Sequence, residues 1–458
     1  MSQPQAANPL GTEKEGKLLL KFAVPSVISL VINSLYNMVD QIFIGQGVGY
    51  LGNGATNIIA PIMIISIAVS TLFGDGLAAF FSLHLGMGEG KRAAKGVGNA
   101  IVVSGAASLV LTVLTFVFLE PLCLVFGATE NLLPYALGYG GIIVLGFPFA
   151  ILGTVINSAI RTDGSPRYAM FAMMVGAVLN TILDPLFIFV FHWGVEGAAL
   201  ATILSQLIGM LFNVAYLFRF RSIRLERASF ALEGKVIRKI MGLGFASCIN
   251  NLTSTIVSFV SNNLLTKYGA LSPYGPDIPL TTFGLCMKVS MLALSIGIGV
   301  ASGSQPIIGF NYGARQCARV KRTFRLSAIA ATVITSASWV IFQLFPLQLI
   351  RIFGTESAQY EEFAGDCFHI YLLLVMLAGV QLCASVFFQA IGQPVKATVV
   401  SLSKQLLFYV PAMLLLSRFL GLTGILWAGP VADALAFLLS GILCLREMKR
   451  LGSRAAEQ

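Results

Sequence analysis

The chain has 458 residues, of which 56% are hydrophobic and only 11% are charged, and its mean hydropathy is +0.83. A soluble globular protein carries about 25% charged residues, so this composition excludes one and indicates an integral membrane protein. The net charge of +10 needs no nucleic acid partner, because basic loops on the inner side of a membrane explain it.

We predict an all-α integral membrane protein with twelve transmembrane helices. Charged clusters and Gly/Pro clusters divide the chain into twelve apolar stretches, each of about 20 or more residues and therefore long enough to cross a bilayer. The stretches are residues 18–44, 55–85, 97–119, 133–153, 167–191, 195–218, 238–266, 279–308, 324–345, 368–391, 397–417 and 422–445.

The basic residues predict the orientation of these spans. Most of the 30 Lys and Arg residues lie on one side of the spans, before the first span and after every second span, including the last. Lys396 and Lys404, close to the start of the eleventh span, are assigned to the same, inner side. The exceptions are Lys267, Lys288, Arg351 and Arg418. By the positive-inside rule, both termini are expected in the cytoplasm.

The terminal and linking segments are predicted from the same boundaries. The first residues lack the basic start and cleavage site of a removable signal peptide, so the first helix is expected to remain. Seven scattered cysteines without a CxxC pair are expected to be reduced and buried. The predicted parts are a cytoplasmic tail (1–16), an N-terminal six-helix lobe (17–218), a cytoplasmic linker (219–237), a C-terminal six-helix lobe (238–446) and a cytoplasmic tail (447–458).

The two halves of the chain repeat each other at a long offset. Phe22-Ala23 matches Phe245-Ala246, and the run from Gly86 to Arg92 matches the run from Gly309 to Arg315. Each repeat has an even number of spans, so the two lobes have the same orientation and are related by an axis along the membrane normal. We expect the cleft between the lobes to be the substrate path.

The first span carries a carboxylate, Asp40, in an otherwise apolar helix. Asn33, Tyr36 and Asn37 lie at helical spacing from it, so the four side chains form one polar stripe. A carboxylate at the bilayer centre costs about 3 kcal/mol or more. Such a residue is usually functional and faces an interior cavity.

The fifth span carries Asn180 and Asp184, followed by Pro185. Two carboxylates in a pocket of low dielectric constant cannot both ionise cheaply, so a proton or a bound cation must compensate. Oxygen ligands suit Na⁺ or H⁺ rather than a soft metal. A packing hydrogen bond from a protonated aspartate is the alternative. The repeat places Asn263 and Ala412 opposite the two acids, so the acidic pair belongs to the N-terminal lobe alone.

Several polar residues within the spans are weaker candidates. Asn157, near the end of the fourth span, and Thr202 in the sixth either face the same pocket or form interhelical hydrogen bonds. Lys288 is either a mobile counter-ion or a lysine that snorkels or lines a cavity. Asp75 lies among glycines, where we expect a bend, and Asp433 also falls within a span.

These residues together resemble the multidrug and toxic compound extrusion (MATE) transporters of the MOP flippase superfamily. The likeness covers nearly the whole chain and is carried by Tyr36 and Asp40, the glycine-rich basic loop after the second span, and the run from Asn180 to Pro185. The acid pair resembles the branch that contains the DinF and MepA types. The NorM branch has acids in the seventh and tenth helices, which here carry no interior acid.

The resemblance implies an antiporter in a bacterial or archaeal cytoplasmic membrane. It would export lipophilic, often cationic, compounds by alternating access in exchange for inward Na⁺ or H⁺, act as a monomer and have only drugs or toxic metabolites and membrane lipids as partners. It implies no cofactor beyond the coupling ion. The implied ligands of that ion, including any Na⁺, are Asp40, Asn180, Asp184 and Thr202, with Tyr36 and Asn157 in a supporting network.

Three other functions are weighed against this one. A flippase for lipid-linked oligosaccharides would need several basic residues in its cavity to hold an anionic lipid, whereas the spans here offer Lys288. An enzyme is not expected, because the chain has no HExxH run and no nucleophile elbow. A channel would need no carboxylate switch.

Overall fold

The structure, a computed structural model, describes residues 8–275, 277–352 and 358–456, and these ranges contain helices and no strand. In these ranges ten helices are long and apolar enough to cross a membrane, and two further pairs of helices, each bent at a short break, bring the number to twelve when each pair is one span. The prediction of an all-α membrane protein is therefore confirmed. Residues 1–7 and 457–458, at the ends of the two predicted tails, lie outside the described residues.

The spans follow each other along the chain and are numbered here TM1 to TM12. They are TM1 (Glu15–Val48), TM2 (Tyr50–Gly86), TM3 (Gly90–Val117), TM4 (Leu133–Leu145 and Phe147–Thr162), TM5 (Pro166–Val190), TM6 (Gly194–Tyr216), TM7 (Gly234–Gly269), TM8 (Asp277–Gly313), TM9 (Cys317–Leu344), TM10 (Ala358–Tyr371 and Val375–Ala390), TM11 (Pro394–Leu420) and TM12 (Leu422–Ala456). TM1–TM6 form the N-lobe and TM7–TM12 the C-lobe.

TM4 is bent by 43° at Gly146 and continues to Thr162, so the predicted end at residue 153 is wrong. Pro148 explains the break, because a proline has no N–H to donate to the carbonyl one turn earlier. The second segment contains Asn157, which therefore lies inside the span rather than at its end.

The C-lobe repeats the irregularities of the N-lobe. TM10 is bent by 41°, like TM4. TM5 contains a π-helix at Leu186–Val190, directly after Pro185, and TM11 contains one at Ser403–Tyr409, which Val410 separates from Pro411. Matching distortions at matching spans support the internal repeat that the sequence motifs indicate.

TM2 is an unbroken helix through Asp75, so the bend predicted at this residue is wrong. The flanking glycines instead allow neighbouring helices to pack closely against TM2. A Cβ on Gly76 would overlap the Ile240 carbonyl oxygen of TM7. The Asp75 side chain lies close to Ser247, also on TM7, so a polar contact accompanies this packing between the lobes.

The two lobes meet where TM2 packs on TM7 and where TM1 and TM2 pack on TM8. A Cβ on Gly244 would overlap the Leu72 carbonyl oxygen, and a Cβ on Gly303 would lie 2.6 Å from the Ala23 Cα. These contacts lie toward the ends of the spans that carry the basic loops, which we call the basic end. The lobes are thus packed together at the basic end.

The segment between the lobes is fixed to the N-lobe. The Asn99 side chain on TM3 donates to the carbonyl oxygens of Ser229 and Ala231, and it accepts from the Glu233 N–H. The Glu233 carboxylate lies 2.7 Å from Lys95 Nζ, and this ammonium holds the pKa of Glu233 below its usual range. TM7 begins at Gly234, and TM12 continues to Ala456 through most of the predicted C-terminal tail.

Candidate functional site

Packing of TM1 against TM5 brings Asp40 and Asp184 together inside the N-lobe. Asp40 is 8% exposed and Asp184 is fully buried. Their carboxyl groups lie within hydrogen-bonding reach of each other. Two residues far apart in the sequence thus form one acidic pair, as the sequence pattern predicts.

Neither acid has enough donors to satisfy its oxygens. Asp40 Oδ1 and Asp184 Oδ2 are buried without a hydrogen-bond partner, although buried polar atoms nearly always have one. Two deprotonated carboxylates cannot donate to each other, and their charges repel. A shared proton or a cation coordinated by the free oxygens resolves both problems.

Asn180 and Thr202 extend the pair into a polar site. Asn180 Nδ2 donates to Asp184 Oδ1 at 3.1 Å and to Thr202 Oγ1 at 3.4 Å, while Asn180 Oδ1 is buried without a partner. TM1, TM5 and TM6 therefore supply the four residues that we call the N-lobe acid site: Asp40, Asn180, Asp184 and Thr202. The atoms of this site that could coordinate an ion are oxygens, which suit Na⁺ or H⁺.

Two tyrosines lie beside the N-lobe acid site. The hydroxyls of Tyr36 on TM1 and Tyr139 on TM4 both lie in the electrostatic field of Asp40 and Asp184. Sequence reasoning found Tyr36 and missed Tyr139, which is 3% exposed. A tyrosine in an apolar span gives no signal of its own, but Gly138 and Gly140 beside it mark a place of close helix packing.

Asn157 does not reach the site. Its Nδ2 donates to the Ala169 carbonyl oxygen at 2.9 Å and to Asn213 Oδ1 at 3.4 Å, and Asn213 in turn donates to the Gly153 carbonyl oxygen. These contacts join TM4, TM5 and TM6. The structure thus places Asn157 in an interhelical hydrogen-bond network, which was the alternative reading of its sequence.

The polar stripe on TM1 divides between two environments. Tyr36 and Asp40 turn toward the N-lobe interior, whereas Asn37 is exposed and Asn33 is half-buried. Asn37 Nδ2 donates to the Asn33 carbonyl oxygen at 2.6 Å. The two asparagines therefore interact with each other at the exposed edge of the stripe, and Asn37 also lies beside Tyr36.

Lys288 is exposed on TM8, and among the ion pairs of the described residues none includes it. TM8 runs antiparallel to TM1, with Gly299 against Val27 and Gly303 against Ala23. Continuing this register places Lys288 at the depth of Asp40. A charged side chain at that depth favours a water-filled space over lipid as its surroundings.

The sequence of the chain is similar to those of known proteins. The family model MatE matches residues 25–186 and 246–414, one stretch in each lobe. The multidrug export protein MepA of Staphylococcus saprophyticus is 26% identical over 447 residues, covering 96% of both chains. The MepA of Staphylococcus aureus strain N315 is 24% identical over 429 residues, covering 93% of both.

Solved structures share the fold. An outward-facing multidrug resistance MATE family transporter of the MOP superfamily has a TM-score of 0.91 at 22% identity, covering 99% of this chain and all of its own. A MOP superfamily transporter from Pyrococcus furiosus has a TM-score of 0.91 at 20% identity, covering 98% of this chain and all of its own. With the matched repeats and the twelve spans, these findings establish that the chain is a membrane transporter of the MATE family.

Proposed function

We propose that this transporter exports small lipophilic compounds across a cytoplasmic membrane in exchange for inward Na⁺ or H⁺. The observation that carries the proposal is the pairing of Asp40 with Asp184, because their buried, unpartnered oxygens need a cation or a proton. The relatives named as multidrug export proteins support the substrate class.

The packing of the lobes supports an outward-open state. The lobes are packed at the basic end, which the positive-inside rule assigns to the cytoplasm together with both termini. In the opposite halves of TM1 and TM7, the polar side chains Asn37, Ser258 and Asn262 are exposed. Polar groups at membrane depth need water or a partner, so they line the cleft from which substrate leaves.

Coupling follows from the need to neutralise the two acids of the N-lobe acid site. In the outward-open state, the N-lobe acid site takes a cation or proton from outside, and its two acids are neutralised. The lobes then close over the cleft and open at the basic end, where the ion is released and the acids repel again. A transporter that must compensate this pair in every cycle links each export step to the ion gradient.

The test is transport in proteoliposomes loaded with ethidium as the probe. We expect efflux under an imposed Na⁺ gradient or pH gradient, no efflux under an equal K⁺ gradient, and loss of the ion dependence in Asp184→Asn. Counterflow with a second lipophilic cation separates a transporter from a channel. Ethidium efflux by Asp184→Asn with unchanged ion dependence would refute the proposed coupling.

A further inference from the structure

A second group of polar side chains lies inside the C-lobe, where Asp433 is buried and Lys404 is partly exposed. Lys404 Nζ on TM11 lies 2.6 Å from Asp433 Oδ1 on TM12, although the contact lacks the angle of a regular hydrogen bond. Asp433 is 6% exposed. The assignment of Lys404 to the inner loops is therefore wrong, because this lysine lies within the π-helix of TM11.

The pair lies near the middle of the membrane. At 1.5 Å per residue, about 15 Å of helix separates Lys404 from Pro394 at the basic end of TM11, and about 16 Å separates Asp433 from Leu422 at the opposite end of TM12. The next charges toward the basic end, Lys396 and Glu447, pair with each other at 2.7 Å. Lys404 and Asp433 thus compensate each other and no other charged group in the described part of the C-lobe.

Tyrosines lie beside this pair, as they do in the N-lobe. Tyr371 of TM10 lies in the field of Asp433, and its ring centroid is 6.0 Å from that of Tyr409 on TM11. The Tyr409 hydroxyl is near Ser261 of TM7 and makes no well-aligned hydrogen bond. Among the described residues, Tyr371 is thus a further titratable side chain that interacts with Asp433.

The four helices that build this group occupy the same places in their lobe as those around the N-lobe acid site. TM7, TM10, TM11 and TM12 are the first, fourth, fifth and sixth helices of the C-lobe, and TM1, TM4, TM5 and TM6 supply Asp40, Tyr139, Asp184 and Thr202. The repeat matches Gly197 in TM6 with Gly424 in TM12. The C-lobe group therefore lies on the helices that correspond to those of the N-lobe acid site, although Lys404 lies eight residues before Ala412, the position that the repeat matches with Asp184.

The two polar groups differ in charge. The N-lobe acid site has two carboxylates and no basic residue, whereas the C-lobe group has one carboxylate and one lysine. We propose that Lys404 is a tethered cation on the C-lobe helices that correspond to those of the coupling site, so that Asp433 is a latent Na⁺ or H⁺ site. The inference rests on the proposed function, because it assumes that the N-lobe acid site exchanges an ion.

A buried carboxylate can be compensated in three ways. A proton, a bound Na⁺ and a lysine ammonium each remove the cost of an isolated charge in a medium of low dielectric constant. The first two exchange with water in every cycle, and the third is covalently attached. A lysine is a compact point charge on a flexible stem, so its ammonium stands where an exchangeable cation would bind.

The test removes the tethered cation in a protein without the N-lobe acids. In an Asp40→Asn/Asp184→Asn background, Lys404→Met leaves Asp433 uncompensated, and the folded protein then binds a proton or Na⁺ more tightly than the unfolded one. Melting in detergent is followed against pH, and in NaCl against choline chloride. We expect the melting temperature of Lys404→Met to fall by about 2 °C per pH unit as pH rises, and to increase with Na⁺.

Two variants control this measurement. Lys404→Arg keeps a cation and should behave like the background protein. Lys404→Met combined with Asp433→Asn has neither charge and should lose the new dependence on pH and Na⁺. If Lys404→Met melts with the same pH and Na⁺ dependence as its background, or if the added Asp433→Asn does not remove the dependence, the proposal is wrong.

A second measurement needs no change at Lys404. Binding of ²²Na⁺, and proton uptake, by the wild-type protein should disappear in Asp40→Asn/Asp184→Asn, because Lys404 blocks the C-lobe group. Residual binding that Asp433→Asn removes would overturn the inference about Lys404. Residual binding that survives Asp433→Asn would instead contradict the proposed function, so the two failures are distinguishable.

Discussion

Asp40 and Asp184 share one environment although they lie on different helices of the N-lobe. Each carboxyl group is within hydrogen-bonding reach of the other, and each has a buried oxygen without a partner. The charge state of one acid therefore depends on that of the other, and under the proposed function we expect ion binding to depend on both acids together.

The first prediction tests this dependence. Asp40→Asn and Asp184→Asn should each abolish ion-coupled efflux while leaving protein in the membrane. The double variant should be no less stable than either single variant, and up to about 1–4 kcal/mol more stable than the wild type, because two costly charges are gone. A double-mutant cycle on thermal unfolding in detergent measures the coupling. Additive single effects would show that the acids act separately.

The second prediction concerns Tyr139, whose hydroxyl lies in the field of both acids. Tyr139→Phe keeps the ring and removes one hydroxyl, a loss worth about 1 kcal/mol, so ion affinity should fall by about 5-fold. Tyr135→Phe is the matched control, because Tyr135 lies one turn earlier on the same helix and is 37% exposed. Ion-binding titrations on the purified variants check this. Equal effects in both would remove Tyr139 from the site.

The third prediction concerns the asymmetry of the lobes. Asn263 lies where the repeat would place a second acid, but it is exposed and its Nδ2 donates to the Phe259 carbonyl oxygen of its own helix at 2.8 Å. Asn263→Ala should therefore keep cation-dependent efflux largely intact, whereas Asp40→Asn should abolish it. Equal loss in a drug-resistance assay would mean that both lobes take part in coupling.

The sequence predicted the spans and the acid pair because each has a strong one-dimensional signal. An apolar run of membrane length and a carboxylate within it stand out in any window of the chain. The proximity of Asp40 and Asp184 was predictable because carboxylates within apolar spans are rare. By contrast, Tyr139 and the docking of Asn157 depend on which face of TM4 packs inward, and an apolar helix carries little periodic signal for that.

The position of Lys404 was predicted wrongly for a different reason. A basic residue close to the predicted start of a span was assigned to the inner side, since lysines usually lie there. Lys404 lies in the π-helix at Ser403–Tyr409 and pairs with Asp433 on TM12, and neither the π-helix nor the pairing has a dependable sequence signal. The prolines Pro148 and Pro185 did mark distortions, but not their angle or length.

The fourth prediction concerns orientation. Single cysteines at Lys91, Arg167, Arg224 and Arg322 should be labelled from the cytoplasm, and those at Glu130, Glu196 and Glu361 from outside. The reason is that the basic residues cluster at one end of the spans. The seven native cysteines, mostly buried, must first be replaced. Labelling of positions 224 and 196 from the same side would contradict the twelve-span topology.

The last prediction concerns the contact that holds the lobes together at the basic end. A Cβ on Gly244 would overlap the Leu72 carbonyl oxygen, and backbone atoms cannot move aside as a flexible side chain can. Overpacking of this kind costs about 1–3 kcal/mol, so Gly244→Ala should reduce the population of the outward-open state by about 5- to 150-fold relative to the inward-open state. Gly242→Ala is the matched control, because a Cβ there meets nothing within 4 Å and the change in helix propensity is the same.

Spin labels at the exposed positions 91 and 316 report the basic end, and labels at 130 and 362 the opposite end. We expect Gly244→Ala to lengthen the first distance and shorten the second, while Gly242→Ala changes neither. If both variants keep the wild-type distances, the TM2–TM7 contact does not control the opening of the cleft.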